Sequence, residues 1–322
     1  METRITKRYR IALPIVSAPM ALVSGGRLAA AVSDAGGLGL IGGGYAGILG
    51  GEPDLEREFD LAGRRRIGIG FITWALARVP DALDRALAHG PTVVFLSFGD
   101  PRPFAPRIRA AGADLICQVQ NLRHLAEALE AGADVIVAQG AEAGGHGATR
   151  STMTLVPEVA DYLTRESPTT LLLAAGGIAD GRGLAAALML GADGAVVGSR
   201  LWASEEALTP NAAVERAIGA TGDDTVRTRA VDRVRGIPWP DEFSFRMVRN
   251  PFADYWAGRE MEAAQRFGSE AGAYAEARAR LDFDVMAIVA GECVGMIKDR
   301  RPAGELVATM VAEADALLRG HR

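Results

Sequence analysis

Lysine is nearly absent from this chain, since Lys7 and Lys298 are the only two among 322 residues. Neither follows a strand-like apolar run, so Schiff-base aldolase and pyridoxal phosphate chemistry have no candidate nucleophile. Cysteine is equally scarce. Cys117 and Cys293 lie far apart in apolar surroundings, which predicts reduced core thiols in a cytoplasmic protein. No cysteine or histidine spacing is typical of a zinc site, so we expect no metal.

Charge and hydropathy argue against two classes of partner. The net charge is −5 and no block of basic residues occurs, which makes nucleic acid an unexpected partner. No apolar run reaches the length of a membrane span. The first eight residues lack the apolar core of a signal peptide, so export is not indicated and we expect a cytoplasmic location.

Short apolar runs recur along the first two-thirds of the chain, separated by helical patterns. Continuous apolar strands that alternate with helices are typical of a parallel sheet covered by helices. The triplet Gly-Ala-Asp recurs at 112–114, 132–134 and 191–193, each time between a helical pattern and a strand, where glycine is the expected helix cap. The eight runs that predict strands are Ile15–Ala18, Leu38–Ile41, Ile67–Phe71, Val93–Leu96, Leu115–Gln118, Val135–Ala138, Leu171–Ala174 and Ala195–Val197.

Eight strands within about 200 residues favour a (β/α)8 barrel, formed by residues 1–202. A doubly wound open sheet is the alternative, although the early G-x-G-x-x-G motif that it requires is not evident. After 202 the repeat ends, and we interpret 203–292 as a small helical subdomain inserted before the last barrel helix. Residues 293–322 return to the barrel, with a helix at about Ala303 to Leu318.

The most informative stretch is the loop of residues 139–147, which follows the sixth strand. It combines four glycines, Gln139, Glu142 and His146. Glycine lets backbone approach a flat ligand closely, and histidine titrates near neutral pH. Barrel active sites lie at the carboxyl ends of the strands, where this loop is predicted to be. A glycine-rich loop with an incidental histidine is the alternative interpretation.

Glycines also follow the seventh and eighth strands. Gly176 and Gly177 come after one, and Gly198 and Ser199 after the other. Barrels commonly bind phosphate with these two loops, because exposed backbone N–H groups and a helix N-terminus favour an anion. The alternative is that these glycines only make tight turns.

The other strand ends are apolar or neutral, and acidic residues near them are few, chiefly Asp100 and Glu142. A magnesium site needs several convergent carboxylates, which are missing. A flat apolar cofactor that carries a phosphate fits better, and FMN is the natural candidate. A core position is the alternative for Met20 and Trp74. These neutral strand-end residues are Met20, Phe71, Trp74, Phe98, Gln118 and Gln139.

Taken together, these motifs resemble the nitronate monooxygenase family, formerly called 2-nitropropane dioxygenases. The resemblance covers about residues 10–202 and resumes weakly at 291–318. The Glu-Ala-Gly-Gly-His sequence is its most specific part. The motifs are Ala18-Pro19-Met20, Gly70-Phe71-Ile72-Thr73-Trp74, the loop from Gln139 to His146, Gly176-Gly177-Ile178 and Gly198-Ser199-Arg200.

The resemblance implies an FMN-bound (β/α)8 barrel that oxidises alkyl nitronates or nitroalkanes with dioxygen, giving a carbonyl compound and nitrite. It implies that His146 is the base that takes the α-proton from a neutral nitroalkane. Gln118 would bond the polar edge of the flavin. The predicted cofactor-binding residues are Ala18, Pro19, Met20, Phe71, Gln118, Gln139, Gly145, Gly176, Gly177, Gly198 and Ser199, and the predicted substrate pocket is formed by Met20, Trp74, Phe98 and Glu142.

One departure from the family concerns substrate identity: Glu292 stands where related chains often have glutamine. An acid there would repel an anionic nitronate if it faced the pocket. The second candidate function is NAD(P)H-dependent reduction of a quinone or an enoyl thioester on the same scaffold. The third is a flavin-binding protein without turnover. A homodimer that associates through the helical subdomain is a further possibility.

Overall fold

Parallel strands alternate with helices through the first two-thirds of a computed structural model that describes residues 1–49 and 53–320. The strands are β1 Ile15–Ser17, β2 Gly39–Gly44, β3 Ile67–Ile72, β4 Val93–Ser97, β5 Asp114–Val119, β6 Val135–Gln139, β7 Gly145–Gly147, β8 Leu171–Ala175, β9 Gly194–Val197, β10 Thr225–Thr228 and β11 Ser244–Val248. The helices are α1 Arg4–Tyr9, α2 Gly26–Asp34, α3 Leu55–Ala62, α4 Thr73–Leu76, α5 Asp81–Leu87, α6 Ala105–Ala110, α7 Leu122–Glu130, α8 Thr152–Glu166, α9 Gly181–Met189, α10 Ser199–Trp202, α11 Asn211–Ile218, α12 Ala230–Val234, α13 Pro251–Trp256, α14 Glu260–Gln265, α15 Phe267–Ala279 and α16 Ala303–Leu318.

Eight of these strands form one parallel sheet that closes on itself. Its order is β1-β9-β8-β6-β5-β4-β3-β2. The two ends meet where Val16 of β1 bridges Leu38, and Ser17 N donates to Leu38 O at 3.0 Å. The (β/α)8 prediction is therefore confirmed, the open-sheet alternative is wrong, and each of the eight predicted runs overlaps a barrel strand.

Alternation along the strands separates two apolar layers. Val135 and Val137 point into the barrel, whereas Ile136 points outward to the helices. Helix α1 packs its buried Ile5 on the interior layer. Helix α16, in the segment 293–322 that is predicted to return to the barrel, packs against α9 and α2. Residues 321 and 322 of that predicted segment lie outside the described residues.

The segment 203–292 differs from the predicted helical subdomain. It contains helices α11 to α15, but also β10 and β11, which pair in antiparallel fashion. Strand β11 pairs in turn with β7, placing Phe245 opposite His146. These strands have only four and five residues, and their partner β7 is Gly-His-Gly, so none has a long apolar run. This small sheet joins the segment to the histidine loop. The boundaries at 202 and 293 stay predictions.

Candidate active site

A cavity of about 270 Å³ opens at the carboxyl ends of the barrel strands. Its lining is mainly apolar, which suits a flat organic ligand. The structure therefore brings together most of the residues that the sequence singled out. Those that line the cavity are Ala18, Pro19, Met20, Phe71, Phe98, Gln118, Gln139, Gly145, His146, Gly176, Gly177, Gly198 and Ser199.

Two predicted pocket residues lie outside this cavity. The Glu142 carboxylate accepts hydrogen bonds from Thr152 N at 3.0 Å and Thr152 Oγ1 at 2.8 Å, at the start of α8. There it satisfies a helix N-terminus. Trp74 lies behind the cavity wall, with its ring centroid 5.5 Å from that of Trp239. Neither side chain can be assigned to the substrate pocket on this geometry.

His146 is the chemical centre of the cavity. Only 8 % of the residue is exposed, and its Nε2 lies 2.9 Å from Oδ2 of Asp232, which is 3 % exposed. The imidazole also stacks on Trp239, with centroids 3.4 Å apart and planes inclined by 9°. Because a carboxylate only accepts hydrogen bonds, Nε2 carries the proton of the neutral imidazole. The lone pair is therefore left on Nδ1.

Glycine is required in the loop that carries this histidine. Gly145 has φ +72°, a conformation that side-chain-bearing residues rarely adopt. A Cβ at Gly144 would lie 2.6 Å from the carbonyl carbon of Ala290. The loop is thus pressed against a neighbouring backbone, and its course depends on the absence of side chains.

The side-chain amides of Gln139 and Gln118 differ in their hydrogen bonds. Gln139 donates from Nε2 to His146 O at 3.2 Å and accepts from Gln120 Nε2 at 3.0 Å, so its amide holds the histidine loop. Gln118 also lines the cavity, and within residues 1–49 and 53–320 its amide has no hydrogen-bond partner. Gln118 is therefore the amide that can bond a ligand without breaking an internal contact.

The glycine pair after β8 and the Gly-Ser pair after β9 form a cradle of backbone at one end of the cavity. Gly176 and Gly177 have φ of +100° and +76°. The backbone N–H groups of Gly177 and Ser199 donate to no acceptor in the described chain. Ser199 Oγ accepts from Gly291 N at 2.8 Å and also hydrogen-bonds the side chain of Cys293, so the free donor of Ser199 is its backbone N–H. Unpaired donors at a concave backbone suit a phosphate.

Two arginines fix the outer side of the histidine loop. Arg227 and Arg246 both donate from Nε to Ala141 O at 3.2 Å, and Arg227 Nη1 also donates to Gly147 O at 3.0 Å. Burial lowers the pKa of Arg227 to about 10. Arg246 pairs with Glu292 at 2.7 Å. That acid does not line the cavity, so the expected repulsion of an anionic substrate does not arise.

Burial sets the protonation of His146. It lowers the pKa of the imidazole below the ordinary 6.5, and the charges of Arg235 and Arg227 act in the same direction. The Asp232 carboxylate opposes them by raising it. The neutral form therefore prevails at neutral pH, as a general base requires.

This lowered pKa predicts a loss of stability in acid. The unfolded chain takes up a proton near pH 6.5 that the folded chain does not take up at His146. The free energy of unfolding then falls with pH by up to about 1.4 kcal/mol per unit from this group, levelling off below the folded pKa. Thermal unfolding of wild type and His146→Gln between about pH 8 and pH 5 measures this. As the pH falls, the Tm of the wild type should decrease more than the Tm of His146→Gln. A difference in Tm that stays constant over this range would contradict the assignment.

Sequence reasoning missed Asp232, Arg235, Trp239 and Phe245, all from 203–292. The sequence Gly236-Ile237-Pro238-Trp239-Pro240 is typical of a turn. Nothing in its spacing, however, linked it to a loop about ninety residues earlier. Strand β11 makes that link by pairing with β7.

Neither a metal site nor a membrane span is found in the described residues. No group of three or more His, Cys, Asp or Glu side chains could hold a metal ion in residues 1–49 and 53–320. Over the same residues, no helix combines the length and apolarity needed to cross a bilayer.

Comparison with known proteins identifies the family. The family model for nitronate monooxygenase matches residues 2–55 and 73–313. The chain belongs to the nitronate monooxygenase family. A nitronate monooxygenase from Neurospora crassa is 34% identical over 93% of this chain and 88% of the relative. These relatives identify the protein as an oxidoreductase that acts on a small molecule.

Solved structures agree with this family assignment. Nitroalkane oxidase from Streptomyces ansochromogenes has a TM-score of 0.78 and 28% identity, with 99% of both chains covered. FabK from Thermotoga maritima has a TM-score of 0.84 and 29% identity, with 100% of both chains covered. The nitronate monooxygenase family thus shares its barrel with other proteins, and the barrel alone does not identify the reaction.

Proposed function

We propose that this protein is an FMN-dependent enzyme that oxidises alkyl nitronates and nitroalkanes with dioxygen, giving a carbonyl compound and nitrite. The observation that carries the proposal is a buried, neutral histidine, backed by a carboxylate, in an apolar cavity at the mouth of the barrel. The names of the Neurospora and Streptomyces relatives point to the same substrate class.

His146 supplies the base in this proposal. The C–H next to a nitro group is a weak acid, so a positioned base is needed near neutral pH. Nδ1 takes the α-proton, and the electron pair stays on the substrate as the nitronate. The imidazolium that forms is stabilised by Asp232, which lies 2.9 Å from Nε2. A substrate that enters as a preformed nitronate needs no proton removal.

Three features of the cavity suit FMN. Free donors at Gly177 and Ser199 would hold the phosphate, and Gln118 would bond the polar edge of the ring system. Ala18, Pro19 and Met20 would lie along the flat face. When bound, FMN would supply a one-electron acceptor for the nitronate, with dioxygen as the final oxidant. Cytoplasmic location and a homodimer stay predictions.

An aromatic wall limits the access of water to the base. Trp239 covers one face of His146, and Phe98 and Phe245 approach its ring at centroid distances of 6.3 Å and 4.9 Å. Excluding water strengthens the electrostatic interactions inside the cavity. The wall thus keeps the imidazole neutral and protects the carbanion-like nitronate from reprotonation by solvent.

NAD(P)H-dependent reduction of a quinone or an enoyl thioester is the second candidate. The whole-chain similarity to FabK fits this alternative. The two functions differ in the source of electrons. Purified protein, reconstituted with FMN under anaerobic conditions, should lose its oxidised flavin spectrum with propionate 3-nitronate and keep it with NADH or NADPH. Bleaching by a nicotinamide alone would move the assignment to a reductase.

Replacing Gly177 with valine is expected to weaken FMN retention. A side chain there must adopt φ near +76° and crowds the backbone donors of the proposed phosphate cradle. The strain itself costs about 1–2 kcal/mol. Gly112→Val is the matched control, because Gly112 has φ +77° and nothing within 4 Å of an added Cβ. Flavin occupancy after dialysis should fall only in Gly177→Val; full occupancy there would refute the phosphate assignment.

A further inference from the structure

Arg235 is the one permanently charged side chain that lines the cavity in the described chain. It follows directly after α12, the helix that carries Asp232. No lining residue among those described carries a carboxylate. The cavity therefore has a positive charge with no acidic side chain on the same wall, an arrangement that attracts an anion.

The N–H donors of the Arg235 guanidinium are not used by the fold. Within residues 1–49 and 53–320 the guanidinium makes no hydrogen bond or ion pair, and its Cζ lies over the Tyr274 ring, 5.7 Å from the ring centroid. Arg227 and Arg246 differ, since both are engaged by loop carbonyls and one by Glu292. An arginine in the cavity wall whose donors are free is available to a ligand.

Asp232 does not neutralise this charge. It lies three residues earlier, and its Oδ2 is taken by His146 Nε2 at 2.9 Å. No ion pair joins Asp232 to Arg235 in the described residues. The segment 203–292 therefore presents an acid behind the base and, from the same short helix, a separate cation at the cavity.

We propose that Arg235 binds the two oxygens of the nitro or nitronate group, and so favours the anionic form of the substrate. This rests on the proposed oxidation of nitronates. A planar guanidinium matches two oxygens of one group with parallel N–H donors. When the α-proton moves to Nδ1 of His146, the new positive charge faces Asp232 and the new negative charge faces Arg235. Each charge created by the proton transfer thus has a counterion.

Direct binding of an unreactive analogue tests this recognition without turnover. Propionate has the same charge and the same heavy-atom connectivity as ethylnitronate, and propionamide is its neutral counterpart. Arg235→Gln should weaken propionate binding to the FMN-loaded protein by about 10–100-fold, as expected for a lost charge-assisted hydrogen bond, and leave propionamide unchanged. Flavin absorbance changes report the binding. Arg233→Gln is the matched control, because Arg233 on the same helix pairs with the exposed Asp241.

Kinetics with two substrates then show whether Arg235 binds the nitronate oxygens or another anionic group. Arg235→Gln should lower kcat/KM for ethylnitronate and propionate 3-nitronate by a similar factor, and Arg235→Lys should restore part of it. A loss confined to propionate 3-nitronate would overturn the proposal by assigning Arg235 to a remote carboxylate. A raised Kd for FMN would overturn it by assigning Arg235 to the cofactor phosphate. Unchanged propionate binding would also overturn it. If wild type binds propionate through Arg235 but oxidises no nitronate, the proposed function fails while the anion site stands.

Discussion

His146→Ala is expected to lower kcat/KM for neutral nitroalkanes by about 10²–10⁴-fold, the usual contribution of a general base. The same variant should lose far less activity with preformed nitronates, because they have no α-proton to remove. Oxygen consumption with nitroethane and with ethylnitronate, measured at equal FMN occupancy, gives the two values. The ratio of the losses isolates proton transfer from binding.

A matched histidine controls for general damage. His124 is partly buried and its Nε2 contacts Glu242 at 3.1 Å, but it lines a different cavity. His124→Ala should therefore leave the nitroethane to ethylnitronate ratio as in wild type. Equal losses of both activities in His146→Ala would remove the base assignment and leave the histidine with a role in binding or packing.

The barrel could be predicted because its signals are local. Each strand is a short apolar run, and the Gly-Ala-Asp triplets mark where a helix ends before the next strand, as at Gly112 and Gly132, with φ of +77° and +74°. Helix α16 has the predicted bounds because its apolar residues recur at helical spacing. Eight such units leave few alternatives to a closed barrel.

Active sites of such barrels lie at the carboxyl ends of the strands, but this position does not determine which side chains point into the cavity. Glu142 follows β6 as predicted, yet its carboxylate accepts a hydrogen bond from the backbone N–H of Thr152 at the start of α8. Trp74 follows β3, but the short helix α4 carries it behind Trp239. Both outcomes depend on tertiary contacts that no spacing in the sequence encodes.

The site residues from 203–292 could not be predicted from the sequence for a different reason. Asp232 and His146 are separated by 86 residues, and the strands that join them are short. Strand β11 alternates polar and apolar residues from Ser244 to Met247, but it has only five residues, and its Arg246 side chain donates to the histidine loop. So short an alternation is a weak strand signal, and nothing in it indicates pairing with the Gly-His-Gly strand β7.

Asp232→Asn is expected to lower kcat/KM for nitroethane by about 10²–10⁴-fold, although Asp232 touches no substrate in the proposed arrangement. An asparagine amide can donate to Nε2, which would move the imidazole proton to Nδ1 and remove the lone pair that accepts the α-proton. The variant keeps the shape of the carboxylate, so the fold should persist. Activity with preformed ethylnitronate should fall much less.

The pH profile and a double-mutant cycle distinguish this positioning role from a structural one. The Asp232 carboxylate raises the pKa of His146 and so opposes the effect of burial. Its loss should therefore move the acidic limb of the pH profile of kcat/KM for nitroethane to lower pH. In the His146→Ala background, Asp232→Asn should cost little further activity, because residues that act as a unit are not additive. Asp241→Asn, at an exposed acid of the same segment, should show neither effect. Additive losses, with an unmoved acid limb, would mean that Asp232 stabilises the segment and that His146 sets its own tautomer.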